Sequence, residues 1–354
     1  MTPAGAGGDA GLGPGYHSPQ VDVAVRLNTN ESPYPPPPAF VAALAEAVAG
    51  IAFNRYPDRE ATALRAGLAD LHGVAPEQVF CANGSNEVLQ TLLLAYGGPG
   101  RVAAVFEPTY ALHSHIARLT GTAVAEGERA PGWHLDLAEV RRVARDAQPA
   151  VTFVCSPNNP TGGAEPAEVV AEVAALAPGL VVVDEAYGQF SPWSALALVG
   201  EDASVVVTRT YSKTWSMAAA RLGYLVGPSP VVAELERRAL PYHLDAVKQA
   251  AGLLALRFRA DMEARVAAVA AERERLAARL AGLAVQVWPS DANFVLFRPH
   301  DGEGAKVWQG LVDRSVLVRD MSGWPRLDGC LRVTVGTPEE DDAFLAALAE
   351  VLDR

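Results

Sequence analysis

The chain has 354 residues, 50% of them apolar and 20% charged, which suits two domains or one large α/β unit of an ordinary soluble globular protein. Its net charge of -12 and pI near 5.1 tell against a nucleic-acid partner, because a phosphate backbone is held through an excess of Lys and Arg; they leave room for a small anion in a locally basic pocket. Cys81, Cys155 and Cys330, widely spaced and without a C-x-x-C pair, suit small core residues in a reducing cytosol, and no apolar run approaches the ~20 residues of a membrane span.

In chain order, residues 1–15 are rich in Gly, Ala and Pro, lack the basic start and apolar run of a signal peptide, and read as a flexible tail. Residues 20–38 end in four prolines, which forbid helix and predict an extended, ordered arm. Helical periodicity follows over 39–49, a turn at 54–58, and a second helix over 61–72, closed by Gly73. From Val79 onward strands and helices alternate. Strands are predicted over 79–81, 102–106, 150–155, 180–183, 204–208 and 222–226, and helices near 87–96, 110–119, 137–147 and 167–177. This is the pattern of a mainly parallel sheet covered on both faces, a three-layer αβα unit. The Ala-, Glu- and Arg-rich stretch over 246–280 predicts more than one helix and breaks at Gly282. Strands over 285–288, 293–297, 316–319 and 331–335 and a helix over 339–352 make a smaller α+β unit, onto which the arm packs. The expected division is tail and arm at 1–38, a large domain at 39–245, connecting helices at 246–281 and a small C-terminal domain at 282–354.

The polar residues of interest fall just after strands, where open α/β sheets bind their ligands. Thr210-Tyr-Ser-Lys213 sets a lysine among small hydroxyl residues, with Arg221 eight positions on. That suits a lysine forming an imine beside an anion site, or an ordinary surface loop. Gly84-Ser85-Asn86 ends a strand and opens a helix, giving either an anion site or merely a cap. Tyr110 can stack on a planar ring or join the core. His113 and His115 form a pair without a third ligand, are read as surface or structural, and no metal site is assigned. Asn158 and Asn159 present amides between turn-forming prolines. Asp184 closes an apolar run, where a buried carboxylate needs a partner: a protonated ring nitrogen or a structural cation. There is no G-x-G-x-x-G after the first strand and no Walker lysine, which tells against a dinucleotide or P-loop site. Pyridoxal 5′-phosphate meets all these features at once. It needs an imine-forming lysine (Lys213), a carboxylate for its ring nitrogen (Asp184) and donors to its phenolic oxygen (Asn159, Tyr187). It also needs an aromatic over its face (Tyr110) and a phosphate cup (Gly84, Ser85, Asn86, Thr210, Ser212, Arg221).

With these residues in place, the chain resembles the fold-type I pyridoxal-phosphate-dependent aminotransferases, and among them the histidinol-phosphate aminotransferases of the actinobacterial kind. The resemblance runs from about Tyr16 to the C-terminus. It rests on Leu27-Asn-Thr-Asn-Glu31, Asn54-Arg-Tyr-Pro57, Ala82-Asn-Gly-Ser-Asn-Glu-Val88, Ser156-Pro-Asn-Asn-Pro-Thr-Gly162, Asp184-Glu-Ala-Tyr187, Arg209-Thr-Tyr-Ser-Lys213, Pro241-Tyr-His-Leu244, Val318-Arg-Asp320 and Leu331-Arg-Val-Thr-Val-Gly336. It implies a cytoplasmic enzyme of histidine biosynthesis that moves an amino group from L-histidinol phosphate to 2-oxoglutarate, giving imidazole-acetol phosphate and glutamate. Lys213 would form the imine and then act as acid and base, Asp184 would keep the ring nitrogen protonated, and Asn159 with Tyr187 would hold the phenolic oxygen. A homodimer is implied, with Tyr56 reaching the partner's cofactor phosphate. Arg332 and Arg319 correspond to arginines that bind substrate anions, Tyr16 and Tyr242 to hydroxyls near the substrate phosphate, and Asn30 to a substrate contact.

The chain departs from the family pattern at Ser32, Tyr211, Trp215, Ala219-Ala220 and Asp245. An Asp245 facing the pocket would repel phosphate and favour a cationic amine. The resemblance therefore leaves open an aminotransferase for another aromatic or basic donor in secondary metabolism, or a phosphothreonine-decarboxylase-like enzyme. A pyridoxal-phosphate-binding transcription regulator would need an added helix-turn-helix domain, for which an acidic chain with a short Gly-rich tail has no room.

Overall fold

The structure, a computed structural model, describes residues 21–353. A short strand β1 (Val25–Leu27) is followed by helices α1 (Pro38–Ala49) and α2 (Thr62–His72). The last of the four prolines takes the first helical position of α1, where a missing N–H is no loss. Gly73 ends α2 in the left-handed region at φ 67°.

There follow β2 (Val79–Ala82), α3 (Ser85–Tyr96), β3 (Val102–Glu107), α4 (Leu112–Leu119), β4 (Ala123–Glu128), α5 (Leu137–Ala147), β5 (Val151–Cys155), α6 (Ala167–Leu176), β6 (Leu180–Asp184), β7 (Val205–Thr210), β8 (Gly223–Val226) and α7 (Ser229–Arg238). Their seven strands form one sheet in the order β2-β8-β7-β6-β5-β3-β4; β8 runs antiparallel to both its neighbours and the other pairs are parallel. Strands β5, β6 and β7 are buried at every position, because helices cover both faces, and so they read as unbroken apolar runs. One face packs Phe80, Val105 and Val182 against Val88 and Leu92 of α3 and Val232 of α7. The other packs Phe106 and Val183 against Val140 of α5 and Val170 of α6. Each such side chain, fully buried, stabilises the fold by roughly 1.5–3 kcal/mol.

Helices α8 (Ala246–Leu256) and α9 (Arg259–Leu280) divide the long helical stretch. Then β9 (Val285–Val287), β10 (Phe294–Pro299), α10 (Gly304–Val312), β11 (Val316–Asp320), β12 (Leu331–Thr334) and α11 (Pro338–Leu352) complete the described chain. The second sheet has the order β1-β11-β12-β10-β9 and is antiparallel except where β1 lies parallel to β11, with Val25 opposite Val316. The arm thus contributes an edge strand as well as an extended segment. Tyr211 and Trp215, whose purpose the sequence leaves open, stack on each other at 5.4 Å in a third apolar cluster with Leu64 of α2 and Leu254 of α8. They anchor the back of the loop that follows β7.

Candidate active site

Parallel strands present their C-terminal ends at one edge of the sheet, and the loops there enclose a cavity. Lys213, three residues past β7, lies in it and donates to the Thr29 carbonyl at 3.0 Å. Burial, the first cause, and the cations of Arg332 and Arg221 push its amine down from an ordinary 10.5 to about 7, against the opposing charge of Glu31. At neutral pH a large share of the amine is therefore unprotonated and nucleophilic.

Asp184, at the last position of β6, is buried with its carboxylate on the cavity. Oδ1 accepts from the Ala186 N–H at 3.1 Å, and Oδ2 accepts from His113 Nε2 at 2.9 Å. The His113 ring is fully buried, stacked on Phe153 at 4.6 Å and met edge-on by Tyr110 at 5.3 Å. His113 is thus a structural residue and not a surface one; it fixes the carboxylate from behind. A single helical histidine carries no sequence signal for this, and only its place under β6 reveals it.

The anion cup forms where β8 crosses the start of α3. Gly84 caps α3 at φ 86°, so the side chains of Ser85 and Asn86 are not used as caps and both line the cavity. A Cβ on Gly84 would sit 2.8 Å from Arg221 Nη2, and one on Gly223 would sit 2.3 Å from the Ser85 nitrogen, so this close approach requires glycine at both positions. Arg221 Nη1 donates to Ser212 Oγ at 3.2 Å, and the Thr210 hydroxyl donates to the same oxygen at 3.0 Å. A helix N-terminus, two small hydroxyls and a guanidinium then face one small space.

On the other side, Arg332 of β12 donates to Asn159 Oδ1 at 2.5 Å and to the Asn28 carbonyl at 3.1 Å, which leaves the Asn159 NH2 group for the cavity. The neighbouring Asn158 instead stitches its loop to the Pro108 carbonyl and to Thr109. Tyr187 lines the cavity beside Asn30, and the Tyr110 hydroxyl donates to Asn86 Oδ1 at 3.2 Å. Thr29, Cys155 and Ala186 also line the cavity without having been singled out in the sequence. Asn30, expected as a substrate contact, has both ends of its amide engaged by Tyr187 and Thr334.

Other expected residues stand apart. Arg319 does not line the cavity: it is buried as the cross-strand neighbour of Arg332, with its guanidinium 5.4 Å over the Trp324 ring. Tyr56 and Tyr242 stack at 4.6 Å on the outer surface, where Tyr56 is 81% exposed. Tyr16 lies outside the described residues. Asp245 does not face the cavity; it caps α8, accepting from the Lys248 N–H at 2.8 Å and pairing with the Lys248 ammonium, so the repulsion considered for it does not arise there. Ser32 accepts from Ser216 Oγ at 2.9 Å and ties the arm to the lysine loop.

The donor set fits pyridoxal 5′-phosphate. Gly84 and Gly223 let Arg221 and the start of α3 approach closely enough to build the cup, the cup matches a phosphate, and one buried carboxylate faces the cavity together with one lysine. A family model described as aminotransferase class I and II matches residues 22–348. The chain is 48% identical to a histidinol-phosphate aminotransferase of Frankia casuarinae, over 97% of this chain and 88% of that protein, and 47% identical to one of Thermobifida fusca, over 96% and 93%. The crystal structure of histidinol-phosphate aminotransferase from Sinorhizobium meliloti in complex with pyridoxal-5′-phosphate shares the fold at TM-score 0.87 and 24% identity, covering 94% of this chain and 92% of that one. The cavity's chemistry and these likenesses agree, and the chain belongs to the class I and II aminotransferases and, within them, to the histidinol-phosphate aminotransferase family.

Proposed function

We propose that the protein transfers the amino group of L-histidinol phosphate to 2-oxoglutarate, with pyridoxal 5′-phosphate held in the cavity. The observation that carries this reading is the flanking of one depressed lysine by two separate anion sites: the cup of Ser85, Ser212 and Arg221 on one side, and Arg332 on the other. One site suits the cofactor phosphate, the other the anionic end of a substrate. When bound, the cofactor supplies an aldehyde that condenses with amines and a ring that takes up the electron pair left on the donor carbon.

The chain's own residues then have separate tasks. Lys213 Nζ would take the proton from the carbon bearing the amine and return it two atoms further along, on the far side of the nitrogen, which needs an amine poised near neutrality. Asp184, oriented by His113 and the Ala186 N–H, would hold the proton on the ring nitrogen. Asn159 and Tyr187 would hold the phenolic oxygen, and Tyr110 would cover the ring. Arg332 takes the substrate's anionic group. The pathway and compartment that go with this reaction are histidine biosynthesis and the cytoplasm; among the described residues no helix is long and apolar enough to cross a membrane.

The active form in this reading is a homodimer. An apolar groove lined by Val41, Leu44, Ile51, Phe53 and Ala220 runs up to Arg221, and Val41 and Phe53 are exposed there. An uncovered groove of this kind favours a second copy of the chain. Tyr56 of the partner subunit would then reach the cofactor phosphate. The test of the reaction is a panel of amino donors with 2-oxoglutarate, read as glutamate formed. A kcat/KM for an aromatic or basic amino acid far above that for histidinol phosphate would sink the substrate assignment.

A further inference from the structure

We propose that Asn30 and Thr334 form a directional hydrogen-bond lock that leaves the single hydrogen of Tyr187 free to be donated into the cavity, which makes Asn30 a positioning residue. The direction follows from which atoms can donate. The backbone N–H of Asn30 can only donate, and it reaches Thr334 Oγ1 at 2.9 Å. That hydroxyl still has its own hydrogen to place, and it donates it to Asn30 Oδ1 at 3.1 Å. The amide oxygen of Asn30 is thereby turned to Thr334 and its NH2 group to Tyr187, whose hydroxyl oxygen lies 2.9 Å from Nδ2.

An NH2 group cannot accept, so Tyr187 accepts here and its own hydrogen must point elsewhere. No described residue takes that hydrogen, and Tyr187 lines the cavity. All three side chains are buried: Asn30 is 1% exposed, Thr334 4% and Tyr187 4%. The geometry is held from outside as well, since Asn293 Nδ2 donates to the Asn30 carbonyl at 3.1 Å and Phe294 meets the Tyr187 ring edge-on at 5.1 Å. Asn30 sits at φ 55°, a conformation that asparagine tolerates better than most residues.

This inference rests on the cofactor reading, in which the acceptor in the cavity is the phenolic oxygen. A hydroxyl that accepts a hydrogen bond becomes a stronger donor. Tyr187 therefore holds that oxygen more firmly as an anion, and the proton shared with the Lys213 nitrogen is released at lower pH. The experiment is a pH titration of the visible absorbance of the cofactor-loaded protein. Asn30→Ala should move the midpoint to higher pH, by roughly a threefold change in the proton equilibrium. Thr334→Val, which touches neither cofactor nor cavity, should move it the same way by less. On a Tyr187→Phe background neither change should move it further. An unshifted midpoint in both variants, or equal shifts with and without the Tyr187 hydroxyl, overturns the lock while leaving the cofactor assignment intact. A parent protein with no visible band dependent on Lys213 overturns the cofactor reading and the lock with it.

Discussion

At the scale of single residues, the reactive amine can be assigned by elimination as well as by position. The chain has three lysines; Lys248 is paired with Asp245 outside the cavity and Lys306 is exposed on α10. Lys213→Ala should therefore abolish the visible band of the bound cofactor, and a residual band that borohydride fixes to the protein would implicate another lysine. The depressed amine also makes a stability prediction. Lys213 has an ordinary value of 10.5 and a folded value of about 7, so between those pH values the unfolded chain binds more protons and stability rises with pH. The cost of holding a charged amine is present in full below about pH 7 and gone above about pH 10.5. In the cofactor-free protein, Lys213→Met should raise stability by ~1–3 kcal/mol below pH 7, a value discounted for solvent in the cavity, and by nothing at the alkaline limit. Equal gains in thermal melts at both extremes would contradict this account. Arg332→Ala should raise KM for the anionic donor by about 10–100-fold with little loss of bound cofactor, because a charged hydrogen bond is worth about 1.5–3 kcal/mol; an unchanged KM would remove Arg332 from the substrate. The residues that the sequence exposed are those with a local signature: a lysine among hydroxyls, a carboxylate ending an apolar run. His113 and Thr334 have none, since each acts only through a neighbour far away in the chain.

At the scale of elements, the sheet determines which side chains meet. The parallel strands were readable because burial on both faces demands continuous apolar runs, as in Leu180–Asp184. Strand β4 was not foreseen: it pairs only with β3 at the sheet edge, and its sequence mixes Ala with Glu and Gly. Helices α7 and α10 were also missed; their apolar stripes are short, and packing on β2 or β11 rather than local propensity holds them. The crossing of β8 over the start of α3 is the element contact on which the anion cup depends. Gly223→Ala places a methyl against the Ser85 nitrogen and should cost ~2–4 kcal/mol while weakening cofactor binding well beyond that of a core substitution of equal cost. Calorimetry and a cofactor titration on the same samples check it, and unchanged affinity would mean that the cup tolerates a wider crossing.

At the scale of the whole molecule, the apolar groove beside Arg221 connects assembly to chemistry. If it is covered by a second copy, Val41→Asp with Phe53→Asp should sediment as a single chain of 37.2 kDa and lose cofactor on dilution, whereas the parent should sediment at twice that mass. A variant that stays dimeric would place the interface elsewhere. The tie between Asn30 and Thr334 has a consequence for the order in which the protein is made. It joins positions 304 residues apart, whereas the seven-stranded sheet is complete by Val226. During synthesis, Lys213 and the phosphate cup can therefore form long before β12 exists, and the arm carrying Thr29 and Asn30 must wait for β12 before it can dock. Until then the lysine lacks its Thr29 contact and Tyr187 lacks its lock. A chain stopped short of β12 should accordingly present a Lys213 open to general amine reagents, whereas once β12 is in place that lysine is sheltered by an arm made long before it.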